Sequence, residues 1–352
     1  MNPTPAIPGS QRPRLLIVDG HAFAYRSFHA ITSLNAPDGA PTNALFGFIK
    51  AIARMRETVQ PEFVAVVWDG GLAEERLAAL PGYKAQRPPM PKDLEVQLDS
   101  INAWLDAVGL AWFCRNGVEA DDWIAVLARR AAGQGTEVVI ASSDKDFMQL
   151  VSPQIGLLNP NDKSTRALIP NRPLTPSLSH PMGEGDRRPM GEGKRGPGAD
   201  SLSLRKGEGR GEGTLWREEQ VRQKTGVGPE QIVDWLSLIG DNVDNIPGVP
   251  GVGPKTATGL LNQFGSVEAL YRRLAEVKSE RLRGALQAAE SDVRRNQSLI
   301  RLRDDLPLEF DLEKLRPRQG EPDRLKELYG RWGFKGMLAR LEGAPPKQGE
   351  LL

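Results

Sequence analysis

The sequence has almost no cysteine and little histidine: Cys114 stands alone, and His21, His29 and His180 are the only imidazoles. A lone thiol excludes an internal disulfide framework. So small a supply of nitrogen and sulfur ligands also argues against a zinc centre. Long apolar runs are missing as well. None approaches the ~20 residues that span a bilayer, and residues 1–13 lack the continuous apolar stretch of a secretory signal. The expectation is a cytoplasmic protein with no membrane role. Neither sign of charge dominates: 46 basic residues meet 45 acidic ones, for a formal net of +1. A nucleic-acid partner therefore has to be sought in where each sign clusters.

The 352 residues are 39% hydrophobic and can bury a full core, as one domain or two closely apposed ones. Residues 14–18 (RLLIV) form a short branched apolar run that ends in Asp19-Gly20. That pattern reads as a buried strand carrying an aspartate at its carboxyl end, where open α/β sheets place ligands. The same device recurs at residues 63–68 (FVAVVW), with Asp69 at the tip, and at residues 137–141, followed by Ser142-Ser143 and then Asp144 and Asp146. Helical spacing covers residues 43–58, 94–108 and 119–132, and a short helix is expected at 144–150. Strands alternating with helices predict a mostly parallel sheet. From 165 to 213 the composition turns to Pro, Gly, Ser and charge, with Pro-Met-Gly-Glu-Gly at 181–185 and again at 189–193. Such a segment buries too little apolar surface to repay its ordering entropy. It reads as a disordered insert, with a partner-binding tail as the lesser alternative. Helical periodicity resumes after it and runs to 341.

The acids worth singling out are Asp19, Asp69, Glu119, Asp121, Asp122, Asp144, Asp146, Asp241 and Asp244. Each alone is explained by capping a helix or ending a strand. Together they are not, because carboxylates crowded at one sheet edge repel strongly unless cations neutralise them. Oxygen ligands without histidine or cysteine suit Mg²⁺ or Mn²⁺. Two such ions about 4 Å apart would clamp an in-line displacement at phosphorus. Residues 237–257 add a glycine-rich hairpin in which Gly251, Gly253, Lys255 and Thr256 resemble a helix-hairpin-helix element that offers backbone N–H groups to a phosphate. A nucleotide-binding Gly-Lys-Thr loop is the rival reading, but Pro254 separates Gly253 from Lys255 and breaks that motif. Lys84 and Arg87, in the basic stretch after Asp69, could stabilise charge developing on an attacked phosphate. The bland alternative for that stretch is a solvated loop.

These motifs, in this order and spacing, resemble the 5′ nuclease (flap endonuclease) family: Val18-Asp19-Gly20-His21, Tyr25-Arg26, Val67-Trp68-Asp69, Gly82-Tyr83-Lys84 with Arg87, Glu119-Ala120-Asp121-Asp122, Ser143-Asp144-Lys145-Asp146, and residues 240–248 (GDNVDNIPG). The resemblance is in particular to the 5′-3′ exonuclease domain of bacterial DNA polymerase I, here without a polymerase domain. It implies a PIN-like α/β nuclease domain (14–164), a helical arch and a helical DNA-binding region (214–341), with a disordered start (1–13), the insert (165–213) and a flexible tail (342–352). It further implies one metal among Asp19, Asp69, Glu119, Asp121 and Asp122 and another among Asp144, Asp146, Asp241 and Asp244. Lys84 and Arg87 would touch the phosphate, and Arg26, Tyr83 and the hairpin residues would contact DNA. The hairpin in this family also tends to hold a monovalent cation such as K⁺. The implied partner is DNA with 5′ flaps, nicks or 5′ ends, acted on by a monomer, with a separate DNA polymerase as a candidate associate.

One departure stands out. Where the family carries an aromatic-Arg pair in its arch, Arg76 follows Glu74 and Glu75, so a less ordered or weaker-gripping arch is expected. Two rival functions share many of the features: a catalytically idle DNA-binding module, and an RNA-directed PIN-type ribonuclease.

Overall fold

The computed structural model describes residues 12–160 and 215–343. The expectations for residues 1–11, for the insert at 165–213 and for the tail beyond 343 fall outside them. Among the described residues no helix is long and apolar enough to cross a membrane.

Five parallel strands form the central sheet in the order β3-β2-β1-β4-β5: β1 (Arg14–Asp19), β2 (Phe63–Val67), β3 (Ala111–Phe113), β4 (Glu137–Ala141) and β5 (Ile155–Leu158). The period of two divides their side chains between two cores. Leu15, Ile17, Val67, Val138 and Ile140 face one side, with α5 (Ala120–Gly133) and the helical residues 221–300. Leu16, Val18, Val64, Val66 and Val139 face the other, with α1 (Gly20–Ala30), α2 (Asn43–Val59) and α4 (Lys92–Ala107). Burial on both faces explains why these strands read as continuous apolar runs.

The chain runs from β1 outward to β2 and β3, then crosses to β4 on the other side of β1. That reversal opens a crevice at the carboxyl ends of β1 and β4, the usual ligand position in an open α/β sheet. The register puts Asp19 opposite Val67 and Val18 opposite Ala141, so three strand ends finish level. Beyond β5 come α6 (Glu218–Thr225), α7 (Ile232–Ile239), the two-residue strands β6 (Gly240–Asp241) and β7 (Ile246–Pro247), α8 (Pro254–Phe264), α9 (Val267–Arg272), α10 (Glu280–Ala288), α11 (Glu290–Ile300), α12 (Pro322–Trp332) and α13 (Lys335–Leu341). Val221, Leu236, Leu261 and Val293 join the same core as the β1 side chains Leu15 and Ile17.

Expectation and structure differ mainly in short elements. The helix expected at 144–150 is a 3₁₀ turn, Asp146–Leu150. Strands β3 and β5, and helices α1 and α3 (Glu74–Ala79), were not anticipated. Helix α1 starts because the Asp19 carboxylate accepts the Ala22 N–H at 3.1 Å, capping a segment with little apolar periodicity.

Trp68 ties this scaffold to the site. It lies stacked on Phe48 with ring centroids 5.8 Å apart, edge-on to His21 at 5.2 Å, one residue before Asp69. Gly20 makes room for it: a β-carbon there would sit 2.6 Å from Trp68 Cε3. Gly20→Ala is expected to cost about 1–3 kcal/mol through this overpacking. Urea unfolding measures it, and a change under ~0.5 kcal/mol would be no more than an ordinary surface substitution gives and would mean that the indole yields freely.

Candidate metal centre

Asp19 ends β1, Asp69 follows β2, Glu119 precedes α5, and Asp121 and Asp122 lie in the first turn of α5, where the helix dipole favours negative charge. Asp144 and Asp146 follow β4, and Asp241 and Asp244 belong to the β6–β7 turn. A cleft of about 430 Å³ opens among them. Its walls include Asp19, Asp69, Asp121, Asp144, Asp241 and Asp244, together with Lys84 and Arg87. Carboxylate oxygens of Asp146, Asp241 and Asp244 approach within 4.8 Å of one another.

Two of the acids face inward instead. Glu119 is fully buried; it accepts from the Ala73 N–H at 3.3 Å and the Tyr83 hydroxyl at 3.2 Å and pairs with Lys84 and with Arg76 at 2.8 Å. Asp122 accepts from Arg76 at 2.8 Å and from the Arg303 N–H at 2.8 Å. Neither lines the cleft, and each already has protein donors; Asp146 is also set back from the cleft wall but groups with Asp241 and Asp244, which line it. Tyr83, assigned to DNA contact, is likewise buried against Glu119. Arg26 is half-buried on α1, and Gly251, Gly253 and Lys255 are exposed around the start of α8, with Thr256 half-buried beside them.

Arg76, named from sequence only for the arch, His21 and Lys145, quoted only within motifs, and Ser142 all contribute to the site without having been assigned a role in it. Arg76 is 5% exposed and lies 2.8 Å from both Glu119 and Asp122 and 3.7 Å from Asp121. Ser142 donates to Asp19 at 2.8 Å and accepts the Asp144 N–H at 3.1 Å, linking two ligand candidates. His21 Nδ1 accepts the Asp69 N–H at 3.1 Å, and Lys145 pairs with Asp241 at 3.2 Å. The Ser-Ser pair after β4 and the motifs around His21 and Lys145 were local signals; nothing local pointed Arg76 at the acids, because its partners lie 43 to 46 positions away.

Electrostatics divide the cluster. Burial would push the Glu119 carboxyl up, but Lys84 and Arg76 outweigh it and hold it below the ordinary range. For Asp122 the balance reverses: burial and Asp121 raise it to about 6 despite Arg76, and the acids toward the cleft follow. Burial, then neighbouring Asp121, Asp244 and Asp19, raise Asp144 to about 7. Asp19 rises to about 6 through burial and the nearby Asp121 and Asp69, despite its hydrogen bonds from Ala22 and Ser142. Burial and Asp144 place Asp146 well above the usual range, and its Oδ1 is buried with no hydrogen-bond partner. An orphaned carboxylate oxygen facing two more carboxylates is what a hard divalent cation fits.

Removing Arg76 would leave Glu119 and Asp122 buried and short of a partner. Arg76→Ala should therefore lose on the order of 3–5 kcal/mol in urea unfolding, and a loss below ~1 kcal/mol would mean the pairing is not structural. The raised acids also set a pH dependence. Carboxyls that hold protons more tightly when folded give stability that is complete below about 3.8 and lost as pH rises through about 6 to 7. In chelator, the melting temperature should drop by at least roughly 3 °C between pH 5 and 8, and saturating Mg²⁺ should flatten that slope. A chelated protein equally stable at both pH values would refute the crowding.

Two family models match the chain. The 5′-3′ exonuclease N-terminal resolvase-like domain matches residues 14–172, and the 5′-3′ exonuclease C-terminal SAM fold matches 227–323. A 5′-3′ exonuclease of Aquifex aeolicus is 31% identical over 93% of this chain and 95% of its own length. DNA polymerase I of Pseudomonas aeruginosa is 35% identical over 97% of this chain, which spans 32% of that relative. Among solved structures, a bacteriophage T5 flap endonuclease in complex with DNA and metal ions has a TM-score of 0.58 at 21% identity, covering 82% of this chain and 89% of its own. The catalytic core of Rad2 in complex with DNA substrate has a TM-score of 0.56 at 14% identity, covering 94% and 93%. At those identities the structures establish the shared fold. With both family domains matched in order and a full-length relative above 30% identity, the chain belongs to the 5′-3′ exonuclease family.

Proposed function

We propose that this chain hydrolyses phosphodiester bonds at 5′ flaps, nicks and 5′ ends of DNA, as a structure-specific nuclease of replication and repair. The observation that carries the reading is the juxtaposition of Asp19, Asp69, Asp121, Asp144, Asp241 and Asp244 around one cleft that also holds Lys84 and Arg87. Acids alone would repel a phosphate. Cations among them invert that field, and the two basic side chains extend it.

Divalent cations of the Mg²⁺ or Mn²⁺ type, held at Asp146–Asp241–Asp244 and at Asp19, Asp69, Asp121 and Asp144, would supply charge neutralisation and an activated water. Glu119 and Asp122, already paired with Arg76 and Lys84, act in this reading as anchors that fix those cations. Arg87 lies 2.5 Å from Asp244 and is about 40% exposed, so its guanidinium can turn toward a phosphate while its stem stays fixed. Water attacks phosphorus in line with the departing 3′ oxygen, leaving a 5′-phosphate and a 3′-hydroxyl. The exposed turn of Gly251 and Gly253 before α8, with Lys255 and Thr256, offers backbone N–H groups to the duplex backbone and K⁺ a site among its carbonyls.

The activity predicts a sharp mutational pattern. Asp19→Ala and Asp146→Ala should each lower the single-turnover rate on a labelled 5′-flap duplex with Mg²⁺ by at least ~100-fold while binding persists. Lys84→Ala should slow the chemical step by ~10²–10³-fold with little change in affinity. Full activity in either aspartate variant would remove the metal assignment. Equal cleavage of a matched RNA flap would favour the ribonuclease reading, and binding without turnover the idle module.

A further inference from the structure

Two turns from opposite ends of the fold interlock over the cleft. Residues 82–87 follow α3 in the α/β part, and residues 241–245 join β6 to β7 in the helical part. The Lys84 N–H donates to the Asp244 carbonyl at 2.9 Å, and Arg87 pairs with the Asp244 carboxylate at 2.5 Å. Asn245 closes the other side. Its Nδ2 donates to the Gly82 carbonyl at 2.7 Å, and its Oδ1 accepts from Gln86 Nε2 at 2.9 Å. Both Lys84 (φ 55°) and Asn245 (φ 56°) hold left-handed backbone conformations, rare for residues with a side chain. Such conformations persist where surrounding contacts over-determine them. Gly82 is part of the fit, since a β-carbon there would come within 2.9 Å of Asn245 Nδ2.

We infer that Asn245 is a positioning residue for hydrolysis: its amide clasps the 82–86 turn at both ends and so aims Lys84 and Arg87 into the acidic cleft. Asparagine suits the post chemically. It tolerates the left-handed conformation, and its amide carries one donor and one acceptor, which the Gly82 carbonyl and the Gln86 amide require. Aspartate would lose the donor and add negative charge beside Asp244. The inference rests on the proposed role of Lys84 and Arg87 at the attacked phosphate. A displacement of about 1 Å at such a group costs on the order of 100-fold in rate.

The test pairs a structural readout with a kinetic one. Asn245→Ala removes the amide in a strained backbone, whereas Asn245→Gly removes it and relieves the strain. In both, hydrogen exchange of the peptide spanning residues 82–87 should accelerate ~10-fold or more as the Lys84 N–H loses its shelter. Single-turnover cleavage of a 5′-flap duplex should slow ~10–100-fold with DNA affinity held within about twofold, and Asn245→Asp should not restore it. In a Lys84→Ala/Arg87→Ala background the same substitutions should slow cleavage by less than about twofold more, because the clasp acts through those two side chains. Unchanged exchange would overturn the clasp whether or not the wild-type protein cleaves DNA. Faster exchange with an intact rate, additive effects with the Lys84→Ala/Arg87→Ala pair, or slowing by Ala but not Gly would each overturn the positioning role. An inactive wild type with faster exchange in the variants would instead overturn the nuclease reading, and with it any catalytic use of the clasp.

Discussion

Mutual repulsion among buried carboxylates is the constraint around which this structure is arranged. Three strand ends, a helix start and a distant turn deliver acids to one crevice, and at low effective dielectric each neighbour raises the cost of ionising the next. The protein answers with its own cations on one side only. Arg76 and Lys84 sit on Glu119 and hold it below the ordinary carboxylate range, whereas Asp122, though paired with Arg76, is still raised to about 6 by burial and Asp121. The acids toward the cleft are raised as well: Asp19, Asp144 and Asp146 all hold protons more tightly than ordinary carboxyls. The division explains how one acid cluster can be both a structural core and a receptive site. Its inner acids are fixed by guanidinium and ammonium groups, and its outer acids remain short of positive charge.

Sheet topology decides where that division falls. Because β1 lies between β2 and β4, its terminal Asp19 is flanked by Asp69 on one side and the Ser142–Asp144 turn on the other. The acids at the β6–β7 turn come from the second family segment, carried there by α7, whose side chains share a core with those of β1. Neither segment holds a complete set. Asp146 meets Asp241 and Asp244 only because residues 221–300 pack on the same sheet face as α5. Coupling the site to the seam between the two parts makes its geometry sensitive to how they pack.

The parts of this arrangement legible in sequence were those set by short-range rules. Buried apolar runs gave β1, β2 and β4, and with them the aspartates at their tips, because a parallel strand covered on both faces cannot be polar until it ends. Strands β3 and β5 were missed since three or four residues do not establish a period. Helix α1 was missed because its start depends on a cap made by the same Asp19 that was read as a ligand candidate. The inward orientation of Glu119 and Asp122 was beyond reach for a different reason. Which acids of a cluster face the cleft depends on partners such as Arg76 and the Arg303 N–H, the latter 181 positions away. The same holds for the two interlocking turns, whose Arg87–Asp244 contact spans 157 positions.

The altered arch shows how a local departure can be absorbed. An acidic pair, Glu74 and Glu75, precedes Arg76 where the family usually carries an aromatic, and the expectation was poorer order. Glu75 instead pairs with Arg303 at 3.1 Å across the seam, and α3 lies against α11. That ion pair is exposed and worth about 0–1 kcal/mol at most, less as salt rises. It cannot replace a packed ring. What holds α3 is Arg76, buried and bound on two sides to Glu119 and Asp122, supported by Leu77 and Leu80 against the core. The turn bearing Lys84 begins directly after this helix, so its position inherits the strength of that buried pairing. Losing the aromatic therefore shifts the anchoring of the segment from apolar contact to the same carboxylates that define the site, and α3 and the acidic cluster become one electrostatic unit.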